Sequence, residues 1–155
     1  MDIYYLIYYG NVEGGGLMKK LMNTAFIYTI IALTSGVFYR EFTKINDYTG
    51  KTSLGVAHVH LLALGSLMFL ILVLFEKEFK ITKNKFFSKF YIIYNAGLVF
   101  MTGMFIWRGV DQVLGLNGGA MISGIAGLSH IIFTVGIIIM FIVLRNEVIK
   151  AEEVK

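Results

Sequence analysis

The sequence predicts an all-α integral membrane protein, a four-helix up-down-up-down bundle. Three observations carry this. Four apolar runs, Leu21–Tyr39, Leu54–Phe75, Phe87–Trp107 and Ala120–Leu144, are each near or above the ~20 residues that cross a bilayer as a helix. The connections between them are short, about 14, 11 and 12 residues, which suits neighbouring antiparallel helices. Only 15% of the 155 residues are charged against 57% hydrophobic, where a soluble domain carries about a quarter charged.

Composition narrows the chemistry further. Cysteine is absent, so disulfides, iron–sulfur clusters, thiolate zinc sites and covalently attached c-type haem are excluded. Proline is absent too, which removes the commonest cause of a helix kink. The net charge is +4, but the basic residues fall into separate clusters between apolar runs rather than one patch, so nucleic acid is not an expected partner.

Residues 1–17 stand apart from the single four-helix domain expected over 18–155. Ile3–Tyr9 is too short to span, and Glu13-Gly14-Gly15-Gly16 precedes Met18-Lys19-Lys20. Those codons can spell a purine-rich stretch resembling a bacterial ribosome-binding site, so the segment is read as a mis-assigned start with translation beginning at Met18. The alternative is a short interfacial segment anchored by Tyr4, Tyr5, Tyr8 and Tyr9. A cleaved signal peptide does not fit, because the basic residues follow the segment and it holds no h-region.

The first span ends at Arg40, the second carries His58 and His60, the third ends at Arg108 and the fourth carries His130. Ten Lys and Arg residues flank one side of the predicted membrane and four the other. By the positive-inside rule both termini and the central loop are expected in the cytoplasm of a bacterial cell, with the first and third loops outside.

All three histidines lie within spans, where an ionisable residue is costly and usually marks an interior functional site. Counting to the inner ends of their spans puts His60 and His130 at nearly equal depth, roughly 22 Å from the inner edge. Two neutral imidazoles at one depth on two helices suit the axial positions of haem b. His58 and His60 are separated by about 200° around a helix, so a straight helix aims only one of them at such an iron. Depth favours His60; the glycine face, with Gly55 and Gly65 within about 60° of His58, favours His58. Ser123, Gly127 and Thr134 accompany His130 and leave room for a flat macrocycle or a close helix. Arg40 and Arg108, at the outer span ends, could meet propionates or simply snorkel to the interface. The structural alternative for the histidines is hydrogen bonding between helices, to Ser, Thr, Tyr or Asn95.

Other candidates are weaker. Met101 and Met104 could offer a thioether but read better as apolar filling. Tyr94 and Asn95 read as interhelical hydrogen-bonding residues, Asp111 as a partner for Arg108, and Gly118-Gly119 as a turn rather than a phosphate loop. Neither a Ser–His–Asp set nor paired carboxylates share a depth, so a hydrolase has little support.

The halves look alike: Thr34–Arg40 parallels Thr102–Arg108, and Gly55-Val56-Ala57 ahead of His60 parallels Gly124-Ile125-Ala126 ahead of His130 with a one-residue gap. If this is a repeat, two hairpins are related by an axis along the membrane normal.

The run Tyr39–Lys44, the His58–Gly65 segment and Gly124–Gly127 together resemble a bacterial family of small four-helix membrane proteins, domain of unknown function 2871, over nearly all of Met18–Leu144. The resemblance brings no activity. The His58-Val59-His60-Leu61 stretch is also similar, over about a dozen residues, to the histidine-bearing helices of the haem–copper oxidase main subunit, where alternate histidines serve different metal centres. That likeness implies haem rather than oxygen reduction, since this chain has too few helices and histidines for an oxidase. The expected function is therefore a haem b protein of the bacterial cytoplasmic membrane that transfers electrons, senses a gas or buffers haem, in contact with lipid and open to assembly as a homodimer or in a larger complex. The competing classes are a small transporter or proton or cation conductor, and a structural accessory subunit.

Overall fold

The computed structural model describes residues 15–116 and 119–153. Four helices account for nearly all of them: α1 Gly15–Ile45, α2 Leu54–Phe79, α3 Phe87–Leu114 and α4 Gly119–Glu153. All four are long and apolar enough to cross a membrane, and the chain is a multi-pass membrane protein with its apolar surface in lipid. Each helix runs beyond the span read from hydropathy. Polar residues can continue a helix through the interface, because its backbone bonds are internal and do not depend on apolar side chains. Residues 1–14, and with them most of the segment read as a mis-assigned start, lie outside the described residues.

The helices pack mainly as two hairpins, α1 on α2 and α3 on α4, with α2 joined to α3 near the α1–α2 turn. Large exposed apolar residues such as Phe26, Leu74, Ile92 and Ile131 cover the outside, the arrangement expected where lipid replaces water. Inside, Leu21, Leu61, Phe69, Phe90, Tyr94 and Leu98 lie in one continuous core.

Lack of proline does not make α2 uniform. It is α-helical over Leu54–His60, a π-helix over Leu61–Leu67, and α-helical again over Met68–Phe79. The wide segment sits against α1. A Cβ on Gly65 would lie 2.5 Å from Tyr28 Cγ, so Tyr28 lies over bare backbone. Thr29 Oγ1 meets Ser66 Oγ at 2.9 Å, and Tyr94 of α3 donates its hydroxyl hydrogen to Leu64 O at 2.8 Å. Gly–Ser pairs and polar groups inserted at a helix ladder are recognised causes of local rewinding.

At the end holding the α2–α3 connection, two buried carboxylates fix the loop. Glu76 accepts from Thr82 N and Thr82 Oγ1, both at 2.8 Å. Glu147 accepts from Asn84 Nδ2 and Lys150 Nζ, both at 2.6 Å. Lys80 takes the left-handed conformation that ends α2 (φ 54°). At the opposite end Thr52 Oγ1 donates to Gly109 O at 2.9 Å, and Ser53 N donates to Gln112 Oε1 at 2.8 Å. These bonds tie the start of α2 to the end of α3.

Candidate functional site

His58 and His60 belong to the same α-helical piece of α2, so the half-turn between them is kept and they face different neighbours. The His58 ring lies over Gly36 of α1, where an added Cβ would be 3.7 Å from its Cγ. It also stacks on Tyr39 at 6.2 Å between centroids. Its Nδ1 is buried without a hydrogen-bond partner. His58 is thus part of the α1–α2 interface. Of the glycine face that favours His58, Gly55 packs against Tyr39 and Gly65 against Tyr28. Both glycines serve contact between helices. The π-helix also moves Gly65 away from the angular position a uniform α-helix would give it relative to His58.

His60 turns the other way, to α3. Its ring meets Phe105 edge-on at 4.9 Å, and His130 of α4 meets the same phenyl edge-on at 5.7 Å. The two imidazoles expected to act together therefore share one neighbour. They also share a local geometry. His60 Nδ1 lies 3.0 Å from Val56 O, and His130 Nδ1 lies 2.8 Å from Ala126 O, each one turn back in its own helix. A carbonyl can only accept, so Nδ1 carries the hydrogen in both rings, and each Nε2 is left as the lone-pair nitrogen. No hydrogen bond reaches either Nε2 among the described residues. A backbone carbonyl on one ring nitrogen is the usual outer support of a metal-bound histidine, since it fixes the tautomer and raises the basicity of the other nitrogen.

The surroundings of His130 are open. Its side chain is exposed, and a Cβ on Gly127, one turn away, would meet nothing within 4 Å. A ring nitrogen facing hydrocarbon without a partner is costly, so the Nε2 side of His130 calls for a cover. Farther along α4, Ser123 lines a cavity of about 370 Å³ together with Arg108, Asp111 and Gln112 of α3. Arg108 is one turn from Phe105 along α3, which puts a cationic group beyond the histidine pair at the α3–α4 end. Arg40 sits elsewhere: it is exposed on α1 and pairs with Glu41 at 2.8 Å. The structure thus groups His60, His130, Gly127 and Arg108 around the α3–α4 hairpin, and leaves His58 and Arg40 at α1.

Phe105 was not singled out from the sequence. Its signal would have been its place in Phe105-Ile106-Trp107-Arg108, one turn before the arginine at the expected histidine depth, but an aromatic in an apolar span is too common to stand out. Among the described residues no three His, Asp or Glu side chains come together as a metal-ion site. Haem needs only one or two protein ligands.

No curated protein and no solved structure matches the chain. A family model matches residues 18–147, which is most of the chain's length and includes all three histidines, Arg40 and Arg108. The chain belongs to the family described as protein of unknown function (DUF2871).

Proposed function

We propose that the protein binds haem b between α2 and α4, where His60 and His130 would hold it through Nε2. The observation that carries this reading is the matched pair of imidazoles against Phe105, each with Nδ1 on its own helix's carbonyl and Nε2 unengaged. Open space at Gly127 accommodates a macrocycle edge, and Phe105 is the side chain that has to yield part of its place. Arg108, beside a cavity at the α3–α4 end, is suited to a propionate; Arg40, already paired with Glu41, is less so. When bound, the group would supply a one-electron couple, and holding by both imidazoles would favour electron transfer over gas binding. The residues' part is to hold both imidazoles neutral, orient them through the Val56 and Ala126 carbonyls, and keep water away with the surrounding apolar side chains. In the same reading the termini and the 80–86 loop face the cytoplasm of a bacterial cell. A thiol introduced at Lys51 is then labelled from outside intact cells, and one at Lys83 is not.

The test is an absorbance spectrum over roughly 400–600 nm of protein purified from cells supplied with haem precursor, with four single variants. His60→Ala and His130→Ala are expected to abolish the low-spin bands at normal protein level, and His58→Ala to leave them nearly intact. Arg108→Ala weakens binding without removing it. A colourless native protein ends the proposal, and loss in His58→Ala with retention in His60→Ala reverses the ligand assignment. The buried, unpartnered Nδ1 of His58 favours a second reading, a proton-carrying group at the α1–α2 interface. In that case colourless protein in liposomes conducts protons, and His58→Ala stops it.

A further inference from the structure

The end of the molecule opposite the histidine pair carries a second site. A cavity of about 560 Å³ lies between the 80–86 loop and the last turns of α4, lined by Lys83, Asn84, Lys85, Asn146, Ile149 and Lys150, with Glu153 the one acidic residue. Its framework is fixed. Asn84 is buried, its amide on Glu147 and its carbonyl oxygen accepting from Phe86 N at 2.9 Å. Glu76 holds the preceding turn through Thr82. Lys150 spends one of its three N–H groups on Glu147, while Lys83 and Lys85 have no carboxylate within ion-pair distance among the described residues. Three lysines with polar amides between them match a phosphate group.

A second, apolar cavity of about 290 Å³ continues from the first along α4. Asn146 lines both, and from there the second is formed by Arg145, Ile142, Phe141, Ile138 and Ile137. From Asn146 to Ile137 the helix rises roughly 14 Å, about half of the ~30 Å hydrocarbon core. That is the depth of one leaflet. A basic pocket at the membrane surface joined to an apolar groove one leaflet deep has the shape and polarity of an amphiphile.

We propose that this end of the protein binds one anionic glycerophospholipid, its phosphate among Lys83, Lys85 and Lys150 and an acyl chain along Ile137–Ile142. This site is independent of the haem reading. It is tested by native mass spectrometry of the full chain in detergent, titrated in separate arms with phosphatidylglycerol, phosphatidylcholine and inorganic phosphate. Phosphatidylglycerol is expected to bind at least about tenfold more tightly than phosphatidylcholine. Lys83→Gln with Lys85→Gln lowers that affinity about 30-fold, at about one kcal/mol for each lysine. Both side chains are exposed, and circular dichroism checks that the double variant is folded. The charge-matched pair Lys19→Gln with Lys77→Gln, outside the cavity, keeps the affinity. Ile138→Trp, which fills the groove, weakens lipid binding several-fold. Equal binding of the two lipids, or an equal loss in the control pair, overturns the proposal in favour of general surface charge. Inorganic phosphate binding as tightly as phosphatidylglycerol overturns it in favour of a free-anion site.

Discussion

The two hairpins bring their helices together by different means. In α3–α4 the approach is backbone to backbone: a Cβ on Gly97 would lie 2.6 Å from Phe133 Cα, and one on Gly136 would lie 2.7 Å from Tyr94 Cα. In α1–α2 the glycines receive side chains instead, Gly65 taking the Tyr28 ring, Gly55 taking Tyr39 and Gly36 taking His58. Polar bonds accompany the second arrangement: Thr29 to Ser66 within the hairpin, and Thr24 to Tyr91 and Tyr28 to Asn95 across to α3. Backbone cannot move aside, whereas an aromatic ring can turn. Small residues in spans are therefore not one feature. The same glycine can mark rigid contact in one place and an adaptable socket in another, and the more exposed histidine stands on the rigid hairpin.

Four substitutions test that contrast, all read by reversible unfolding in mixed micelles. The largest effect is expected at the backbone contacts: Gly97→Ala should cost about 3 kcal/mol, the upper end for overpacking, because Phe133 Cα has no way to retreat without parting the helices. Gly103→Ala, on the same helix with nothing within 4 Å of its Cβ, should be neutral or gain up to about 1 kcal/mol from helix propensity. A neutral Gly97→Ala would remove the basis for calling this hairpin rigid.

Gly65→Ala is expected in the middle, at about 1–2 kcal/mol. The Tyr28 ring must shift, but it is held by Asn95 at 2.7 Å and by stacking on Phe69, so the shift is not free. A loss as large as that of Gly97→Ala would erase the difference between the hairpins.

The smallest loss belongs to Tyr94→Phe. It deletes the bond from the hydroxyl to Leu64 O, which joins the hairpins at the π-helix, and should cost about 0.6 kcal/mol, the average for hydrogen bonds inside membranes. A loss above about 2 kcal/mol would mean that the π-helix depends on this bond to keep its winding.

The spans and their number were legible because a continuous apolar run of bilayer length is rarely anything but a span. That His60 and His130 lie near enough in height to share Phe105 was legible as depth, since residue counting along a helix gives height to within about a turn. Which of His58 and His60 faces α3 was not decided by the glycines, because small residues permit close approach without saying what approaches. The π-helix was hidden for a related reason: Leu-Leu-Ala-Leu-Gly-Ser-Leu fits α-helical winding, and only the Gly65-Ser66 pair hints otherwise. Glu76 and Glu147 went unremarked because they stand among lysines, where a carboxylate reads as surface charge. Their burial depends on a loop fold that no local pattern announces.

The π-helix has one further consequence, for the angular phase of α2. Each i→i+5 closure takes in one residue more than the turns around it, and each extra residue moves everything after it by about 100° relative to uninterrupted winding. Upstream, His60 is keyed to Phe105; downstream, Phe69 is keyed to Tyr28 and Glu76 to Thr82. One helix thus meshes with two lattices of different phase, and the wide segment is the gear between them. It behaves as a stored insertion. Removing a residue between Leu61 and Leu67 restores ordinary winding but swings either the imidazole away from Phe105 or the carboxylate away from the loop. The histidine and a loop it never touches are spaced by the same whole number of residues.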